Sequence, residues 1–321
     1  MARRRRLGSA PTTPRPTQAS LDLVVVGHTN LDHFFHVEQL PGRDRTVPVR
    51  DRKVRLGGTA ANIARTAAKL GVRTALASLV GPDFPSQFHH QLVREGVDLS
   101  AFETVPGARS PAAFIVESAQ SDQVTLLDQG PMETDTGLEV PRGVLSRAGW
   151  VHLATGNPHY QLRVLDAAHG LGLRAAADPA QEIFYRWSAS DLRRLLAASE
   201  LFFANRAELA QALLLLRLRN MQEMLGIVPT VVETVGPAGA IAWTRTGRLR
   251  VPAAHSPRVR QVTGAGDAFR GGFYAGWFRG DPLRDCLRYG SWAAARWLER
   301  GDPSALRPRG GRLRSLPSLM T

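Results

Sequence analysis

The sequence predicts an α/β fold in which helices cover both faces of a mostly parallel sheet and a small β-sheet forms a lid beside it. Short apolar runs that end near Gly, Asp or Asn alternate along the chain with segments of helical periodicity, which is typical of βα units. Two further segments carry strand patterns without helices. Of the 321 residues, 43% are hydrophobic and 21% are charged, as in ordinary globular proteins.

The predicted elements follow the chain in order. The apolar runs predict strands over residues 21–27, 73–81, 150–156, 173–178, 201–205 and 230–236. The helical patterns predict helices over 59–70, 86–95, 160–170, 189–199, 206–220, 265–279 and 283–299. Residues 33–56 and 109–129 are predicted to be hairpin strands that pair into the lid, and such a lid would cover a site.

We expect two basic tails, residues 1–20 and 303–321, on either side of one domain over residues 21–302. Residues 1–20 lack hydrophobic periodicity and are predicted to be disordered. Five Arg residues give them a charge of +5, and residues 301–321 carry +3 of the total of +13. Because most of the charge lies in the tails and only two of the 41 basic residues are Lys, we expect no nucleic-acid partner. A short Arg run that binds polyanions is the alternative.

Several protein classes are excluded by composition. The single cysteine, Cys286, excludes an intrachain disulfide framework. Every apolar run is shorter than the roughly 20 residues that span a bilayer. The start MARRRR leads into Gly, Ser and Pro rather than into the apolar stretch of a signal peptide. We therefore expect a cytoplasmic protein without a membrane partner.

The motif TGAGDAFRGGF at residues 263–273 carries the strongest chemical signal. The small residues Gly264, Ala265 and Gly266 precede a predicted helix, whose unpaired N–H groups and dipole favour an anion. Asp267 in the first turn is suited to take a proton from a hydroxyl that attacks a phosphoryl group. The alternative is a tight glycine turn with an Asp that stabilises the helix start.

Two motifs nearer the N-terminus suggest contacts to a ligand. In GGTAAN, Gly58 would let a ligand approach the backbone and Asn62 would hydrogen-bond it; the alternative is a tightly packed, Ala-rich helix. Asp32 follows the first strand, at the sheet edge where ligands bind in open parallel sheets. An Asx turn or a helix cap is the alternative for Asp32.

Two motifs in the second half suggest phosphate and nucleotide contacts. In NRAEL, Asn205 ends a strand and Glu208 lies in the first turn of the next helix, which fits either a capping box or a hydrated Mg²⁺. In TVGPAGA, a glycine-rich turn between two strands suits a nucleotide or a simple hairpin. The sequence contains no P-loop motif.

This chain resembles the ribokinase-like (PfkB-type) kinases of sugars and nucleosides from about Leu21 to Asp302. The resemblance is carried by TGAGDAF together with GGTAAN, Asp32, NRAE and TVGPAG, in the order and spacing that they have along the chain. The segments GHTNLDHFFHVEQLP, VHLATGNPHYQL, DPAQ and GDAFRGGF are most similar to archaeal-type nucleoside kinases. The resemblance implies a ribokinase-like three-layer sandwich with a β-lid. It also implies transfer of the γ-phosphoryl group of ATP, with Mg²⁺, to a hydroxymethyl group.

The same resemblance implies a role for each candidate residue. Asp267 would be the catalytic base, and Gly264, Ala265 and Gly266 would form the anion hole. The sugar hydroxyls would be held by Asp32, Gly58 and Asn62; Mg²⁺, through water, and phosphate by Glu208 and Asn205; and the nucleotide by Asn205, Thr234, Gly236 and Gly239. Apart from the resemblance, Gln129 lies where we expect the lid to cover the substrate, and it is predicted to contact a base.

Two positions depart from the broader family pattern. Many relatives carry an Asp shortly before Gly-Ala-Gly-Asp that helps to hold a monovalent cation, whereas this chain has Gln261 in QVTGAGD. Sugar kinases often have Asn or Ser at the position of Arg270. At this position the chain resembles the nucleoside kinases instead. The predicted function is therefore an ATP-dependent kinase of the nucleoside 5′-hydroxyl, with little activation by K⁺.

Two other functions remain open from the sequence. One is a PfkB-type sugar kinase, similar to ribokinase, fructokinase or phosphofructokinase. The other is a non-catalytic, ligand-binding pseudokinase, which the intact Asp267 and Gly264–Gly266 argue against. The sequence fixes neither the nucleoside nor the phosphoryl donor, and the exposed strand edges of the lid allow a homodimer through the lid.

Overall fold

This computed structural model describes residues 19–306 except 121 and 136. Within that part of the chain, nine strands form a large sheet in the order β13-β12-β11-β10-β9-β8-β1-β4-β5. They are β1 (Leu21–Val26), β4 (Thr74–Val80), β5 (Asp98–Thr104), β8 (Ala148–Leu153), β9 (Arg174–Ala177), β10 (Leu201–Asn205), β11 (Thr230–Thr234), β12 (Ala240–Thr244) and β13 (Gly247–Val251). All neighbours are parallel except β11–β12 and β12–β13.

Helices cover both faces of this sheet. They are α1 (Thr59–Lys69), α2 (Ser86–Arg94), α3 (Arg142–Leu145), α4 (Pro158–Gly170), α5 (Ala189–Ala197), α6 (Arg206–Leu215), α7 (Met221–Ile227), α8 (Ala265–Trp277) and α9 (Leu283–Arg300). Leu23 and Val25 of β1 pack with α1, α2, α8 and α9, whereas Val24 and Val26 pack with α3 to α7. The predicted three-layer sandwich is confirmed.

A separate four-stranded sheet forms the lid, in the order β3-β2-β6-β7. Its strands are β2 (Asn30–Val37), β3 (Val49–Gly57), β6 (Ala112–Ser118) and β7 (Gln123–Asp128). The two predicted hairpin segments therefore pair with each other, through the parallel contact of β2 with β6. Since β2 starts four residues after β1 ends, the lid is joined directly to β1, an interior strand of the large sheet.

Several parts of the predicted order are wrong, and the short helix α3 and the strand β13 are absent from it. The helix predicted over 206–220 ends at Leu215, because Arg217 adopts a positive φ of 55°, and a separate helix, α7, begins at Met221 after its cap Asn220. The edge strand β5 was not predicted, because its sequence DLSAFET has only one buried position. The 1–20 tail lies outside the described residues except for 19 and 20, and the 303–321 tail except for 303–306.

The fold brings several strand ends to one edge. The parallel strands β1, β8, β9, β10 and β11 all end there, and Asn205 at the end of β10 is in register with Thr234 of β11. Such edges are where open α/β sheets bind ligands. None of the described helices is long and apolar enough to cross a membrane.

Candidate active site

The first turns of α1 and α8 meet at this edge and bring two predicted residues together. Asn62 Nδ2 donates a hydrogen bond to Asp267 Oδ2 at 3.0 Å, across 205 positions of sequence. The pKa of Asp267 is raised to about 7, chiefly by burial, while Arg270 and the Asn62 hydrogen bond oppose the rise. A carboxylate with a pKa near 7 can accept a proton near neutral pH.

Arg65 fixes the orientation of the Asn62 amide. Its Nη1 donates to Asn62 Oδ1 and to the Leu56 carbonyl, both at 3.4 Å. Its Nε and Nη2 donate to the Glu95 carboxylate at 2.5 and 3.1 Å, and the side chain is only 1% exposed. Sequence analysis missed Arg65; the only available signal was an Arg inside the Ala-rich helix.

Asp32 lies against the glycine pair that precedes α1. A Cβ on Gly57 would be 1.9 Å from Asp32 Oδ2, so any larger residue would displace the carboxylate. Gly58 precedes α1 with a φ of 94°. Burial and the Asp267 charge raise the pKa of Asp32 to about 7. The structure therefore places Asp32, Gly58, Asn62 and Asp267 in one cluster.

The loop before α8 is held by Trp297 of α9. Gly264 has a φ of 86°, and a Cβ there would lie 2.6 Å from Trp297 Cζ2. Trp297 Nε1 donates to the Thr263 carbonyl at 2.8 Å. Since α8 begins at Ala265, the first N–H groups of the helix have no acceptor within it, and the Ala265 N–H donates to the Val262 carbonyl before the helix at 3.2 Å. The arrangement can bind an anion next to Asp267.

Asn205 and Glu208 form a capping box at the start of α6. Asn205 Oδ1 accepts from the Glu208 N–H at 2.9 Å, and Glu208 Oε2 accepts from the Asn205 N–H at 2.7 Å. The capping geometry is therefore present. Among the described residues, no donor is paired with Glu208 Oε1. Thr234 ends β11, and a short 3₁₀ turn, Gly236–Ala238, followed by Gly239, leads from it into β12.

A buried polar network behind the site was not predicted. Arg270 Nη2 donates to Asp178 Oδ1 at 2.7 Å, and its Nε also pairs with the Asp178 carboxylate. His152 Nε2 lies 3.2 Å from Asp178 Oδ2, and His152 Nδ1 lies 2.7 Å from the Tyr274 hydroxyl. Arg270 Nη2 also approaches Glu208 Oε2 at 4.0 Å. Arg270 thus brings a positive charge among the site's carboxylates.

Gln129 lies where the lid strand β7 ends. Its Nε2 donates to the Tyr185 hydroxyl at 3.2 Å. It lines two cavities: a large open one of about 730 Å³ and a small one that also contacts Asn30 and Thr59. Asn30 is paired with Gly57 in the lid and Thr59 opens α1, so the small cavity adjoins the Asp32 cluster.

Known proteins are similar to this chain over most of its length. A nucleoside kinase of Methanothermobacter thermautotrophicus is 31% identical over 277 residues, which cover 85% of this chain and 88% of the relative. An ATP-dependent ribose-1-phosphate kinase of Halopiger xanaduensis is 29% identical over 287 residues, covering 87% and 94%. The crystal structure of the Methanocaldococcus jannaschii nucleoside kinase, an archaeal member of the ribokinase family, superposes with a TM-score of 0.81 at 27% identity, covering 88% and 93%.

The family match spans the whole described domain. Residues 20–308 match the model of the pfkB family of carbohydrate kinases. This range includes both sheets, the lid and the helix start at Gly264–Asp267. A helix N-terminus beside a carboxylate suits phosphoryl transfer to a hydroxyl. The chain therefore belongs to the pfkB family of carbohydrate kinases and is a phosphotransferase that acts on an alcohol group.

Proposed function

We propose that the protein transfers the γ-phosphoryl group of ATP to the 5′-hydroxyl of a nucleoside. The observation that carries this proposal is the Asp32–Asn62–Asp267 cluster at the N-terminus of α8. Relatives named as nucleoside kinases support a nucleoside as acceptor. The cavity of about 730 Å³ beneath β7 supports it too, because it offers room for a base beyond a sugar ring.

The residues of the cluster would have different roles in the reaction. Asp32, Gly58 and Asn62 would bind the ribose hydroxyls and direct the 5′-hydroxyl toward Asp267. Asp267 would accept the hydroxyl proton as the new P–O bond forms, since a hydroxymethyl group is not ionised at neutral pH. The N–H groups at Gly264, Ala265 and Gly266 would stabilise the charge on the transferred phosphoryl group.

The donor set fits the Mg²⁺ that such a reaction uses. Mg²⁺ prefers one or two carboxylates together with waters and substrate phosphates. Glu208, through Oε1 and water, supplies such a carboxylate beside Asn205, and no cluster of three or more metal-binding side chains exists among the described residues. Bound Mg²⁺ would neutralise phosphate charge. Thr234, Gly236 and Gly239 would line the nucleotide.

A panel of acceptors tests the proposed function. The purified protein is incubated with ATP, Mg²⁺ and equal concentrations of adenosine, inosine, cytidine, ribose, ribose 1-phosphate or fructose 6-phosphate, and kcat/KM is measured for each. We expect at least one nucleoside to exceed every sugar by tenfold or more. Ribose 1-phosphate as the best acceptor would favour the function of the Halopiger relative instead.

The rate should depend on pH through the site carboxylates. We expect kcat/KM to be level above about pH 8 and to fall below about pH 7, because protonated Asp267 cannot accept a proton. Protonation of Asp32 steepens the fall, since its pKa is also about 7. A pH–rate profile from 5 to 9 measures this. A rate that stays level down to pH 5 would indicate ordinary carboxyl pKa values.

Activation by K⁺ should be weak. Gln261 offers a neutral amide oxygen where many relatives have a carboxylate, and that oxygen lies 3.5 Å from Arg55 Nη1. We expect less than a twofold change in kcat when K⁺ replaces a large organic cation at constant ionic strength. An increase of fivefold or more would show that a monovalent cation site exists despite Gln261.

Association of two copies through the lid also stays a proposal. The edge strands β3 and β7 expose Val49, Val54, Val124 and Leu126, and unpaired strand edges can pair with another chain. Light scattering after size-exclusion chromatography distinguishes a monomer from a dimer. A cytoplasmic location is likewise proposed from the sequence.

A further inference from the structure

Arg65 is a buried charge in α1 that has no part in the proposed reaction as described so far. It is 1% exposed, and the helix around it is built mostly from Ala. An Arg side chain is almost never fully buried unless it is paired. The partners of Arg65 therefore show what its charge and its donors do.

The Glu95 carboxylate fixes the plane of the guanidinium. Arg65 Nε and Nη2 donate to its two oxygens at 2.5 and 3.1 Å, and Gln91 Nε2 of α2 also donates to Glu95 Oε1 at 3.1 Å. Two parallel hydrogen bonds between Arg and a carboxylate impose a specific geometry. They leave Nη1 on the far side, where it meets the Leu56 carbonyl and the Asn62 side chain.

This third nitrogen decides which way the Asn62 amide faces. Arg65 Nη1 donates to Asn62 Oδ1 at 3.4 Å, so Asn62 Nδ2 is the end that donates to Asp267 Oδ2 at 3.0 Å. A reversed amide would set its NH₂ group against the guanidinium and its oxygen against the carboxylate, and both hydrogen bonds would be lost. Arg65 thus keeps a donor directed at Asp267.

The same nitrogen supports the end of the lid strand beside Asp32. Arg65 Nη1 donates to the Leu56 carbonyl at 3.4 Å, and this carbonyl belongs to the peptide bond between Leu56 and Gly57, the last two residues of β3. Asp32 lies so close to Gly57 that a Cβ there would be 1.9 Å from Asp32 Oδ2. Arg65 therefore contacts the groups that support both carboxylates of the cluster.

The two carboxylates also depend on the charges that face them. Burial and the charge of Asp267 raise the pKa of Asp32, whereas Arg65 and Arg55 lower it. The groups that act on Asp267 are Asn62, Arg270, Asp178 and Glu208. Without Arg65, Asp32 would lose an opposing positive charge and Asp267 would lose a fixed donor. Both carboxylates should then take up a proton at higher pH.

We propose that Arg65 is a positioning residue of the active site, which acts through Asn62 and Leu56 to hold Asp267 and Asp32 in the arrangement that the reaction needs. The inference rests on the proposed function, in which Asp267 accepts the proton and Asp32 binds the acceptor. Arg65 itself is enclosed by protein groups and does not touch the reacting atoms. Its removal should change the rate and the pH dependence of the reaction as well as the stability of the fold.

The test measures Arg65→Met on the acceptor that has the highest wild-type kcat/KM in the panel. Methionine keeps an apolar stem but removes the charge and the donors. We expect kcat/KM at about pH 9 to fall by about 10–10²-fold, because a small displacement of the reacting groups has an effect of that size. The acid limb of the pH–rate profile should move to higher pH by about one unit.

Arg147→Met is the matched control. It breaks the ion pair of Arg147 with Asp98 at 2.6 Å, which lies before the start of β8 and therefore at the opposite edge of the sheet from the site. Both kcat/KM and the acid limb should remain as in the wild type.

A double variant separates positioning from stability. Arg65→Met leaves the Glu95 carboxylate, whose side chain is 15% exposed, without its guanidinium, so the melting temperature should fall. Adding Glu95→Gln removes this unpaired charge and should recover part of the loss, but the acid limb should stay displaced. A wild-type acid limb in folded Arg65→Met, or a limb that returns together with the stability in the double variant, would overturn the inference.

Two further measurements keep the inference testable. If neither methionine variant folds, Arg65→Lys replaces them, since it keeps the charge without the planar fork; a fall in kcat of about fivefold or more at pH 9 would support the inference, and a smaller one would overturn it. A preference for a sugar over every nucleoside would overturn the nucleoside assignment alone, because Arg65 is tested on the best acceptor. Phosphorylation of no acceptor would overturn both.

Discussion

Replacing Asp267 by Asn is expected to lower kcat by about 10²–10⁴-fold, the usual contribution of a general base. An amide at position 267 keeps the shape of the side chain and can still accept the hydrogen bond from Asn62. It cannot take the proton of the attacking hydroxyl. Binding of the nucleoside should stay within about tenfold of wild type, because Asp32, Gly58 and Asn62 carry the proposed hydroxyl contacts.

Asp32→Ala is the matched comparison, since Asp32 is the other carboxylate of the cluster with a pKa of about 7. Here we expect KM to rise more than kcat falls, because the proposed contact is made in the ground state and the transition state alike. Steady-state kinetics and calorimetric titration with nucleoside separate the two effects. If Asp267→Asn kept more than about a tenth of wild-type kcat, Asp267 would only stabilise the start of α8.

Arg270→Asn is expected to lower the free energy of unfolding by about 3–5 kcal/mol, the usual cost of breaking a buried ion pair from one side. The reason is Asp178, which is fully buried and paired with Arg270. Without the guanidinium, the hydrogen bond to His152 is the one partner that remains for this carboxylate among the described residues. Denaturant unfolding measures the loss, and Arg194→Asn, at an exposed ion pair with Asp166, should cost less than about 1 kcal/mol.

The Arg270→Asn variant should also have a different pH–rate profile. Arg270 holds down the pKa of Asp267, so its removal should move the acid limb of kcat/KM to higher pH. The double variant Arg270→Asn/Asp178→Asn should recover part of the lost stability, because the unpaired buried charge is gone. Wild-type stability together with an unmoved acid limb in Arg270→Asn would contradict this role.

Local patterns explain why much of the fold was predictable. The strand 201–205 agrees with β10 residue for residue, and helix starts at 59, 86, 189, 206, 265 and 283 agree with the observed ones. These starts follow hydrophobic periodicity and small or capping residues, which act over a few positions. The chain leaves the helical conformation after α6 because Arg217 adopts a left-handed backbone conformation. An Arg residue does not favour this conformation, so no sign of the helix end was present in the sequence.

The sequence motifs identified several residues of the candidate site, but they did not show which of these residues contact one another. Asn62 and Asp267 were both chosen from their motifs, yet their hydrogen bond spans 205 positions. Arg270 and Asp178 are 92 positions apart, and a single sequence does not show which buried charges will meet. The roles of the site residues stay predictions until they are tested.

The most direct test of the proposed function identifies which hydroxyl group of the nucleoside is phosphorylated. Adenosine and 5′-deoxyadenosine are each incubated with the wild-type protein, ATP and Mg²⁺; ADP formation is followed, and the product is identified by ³¹P NMR and mass spectrometry. We predict that adenosine gives the 5′-monophosphate with one ADP formed per product molecule. We also predict that 5′-deoxyadenosine gives no ADP above the background without acceptor. Phosphate on another hydroxyl, or equal turnover of the 5′-deoxy compound, would contradict the proposed function.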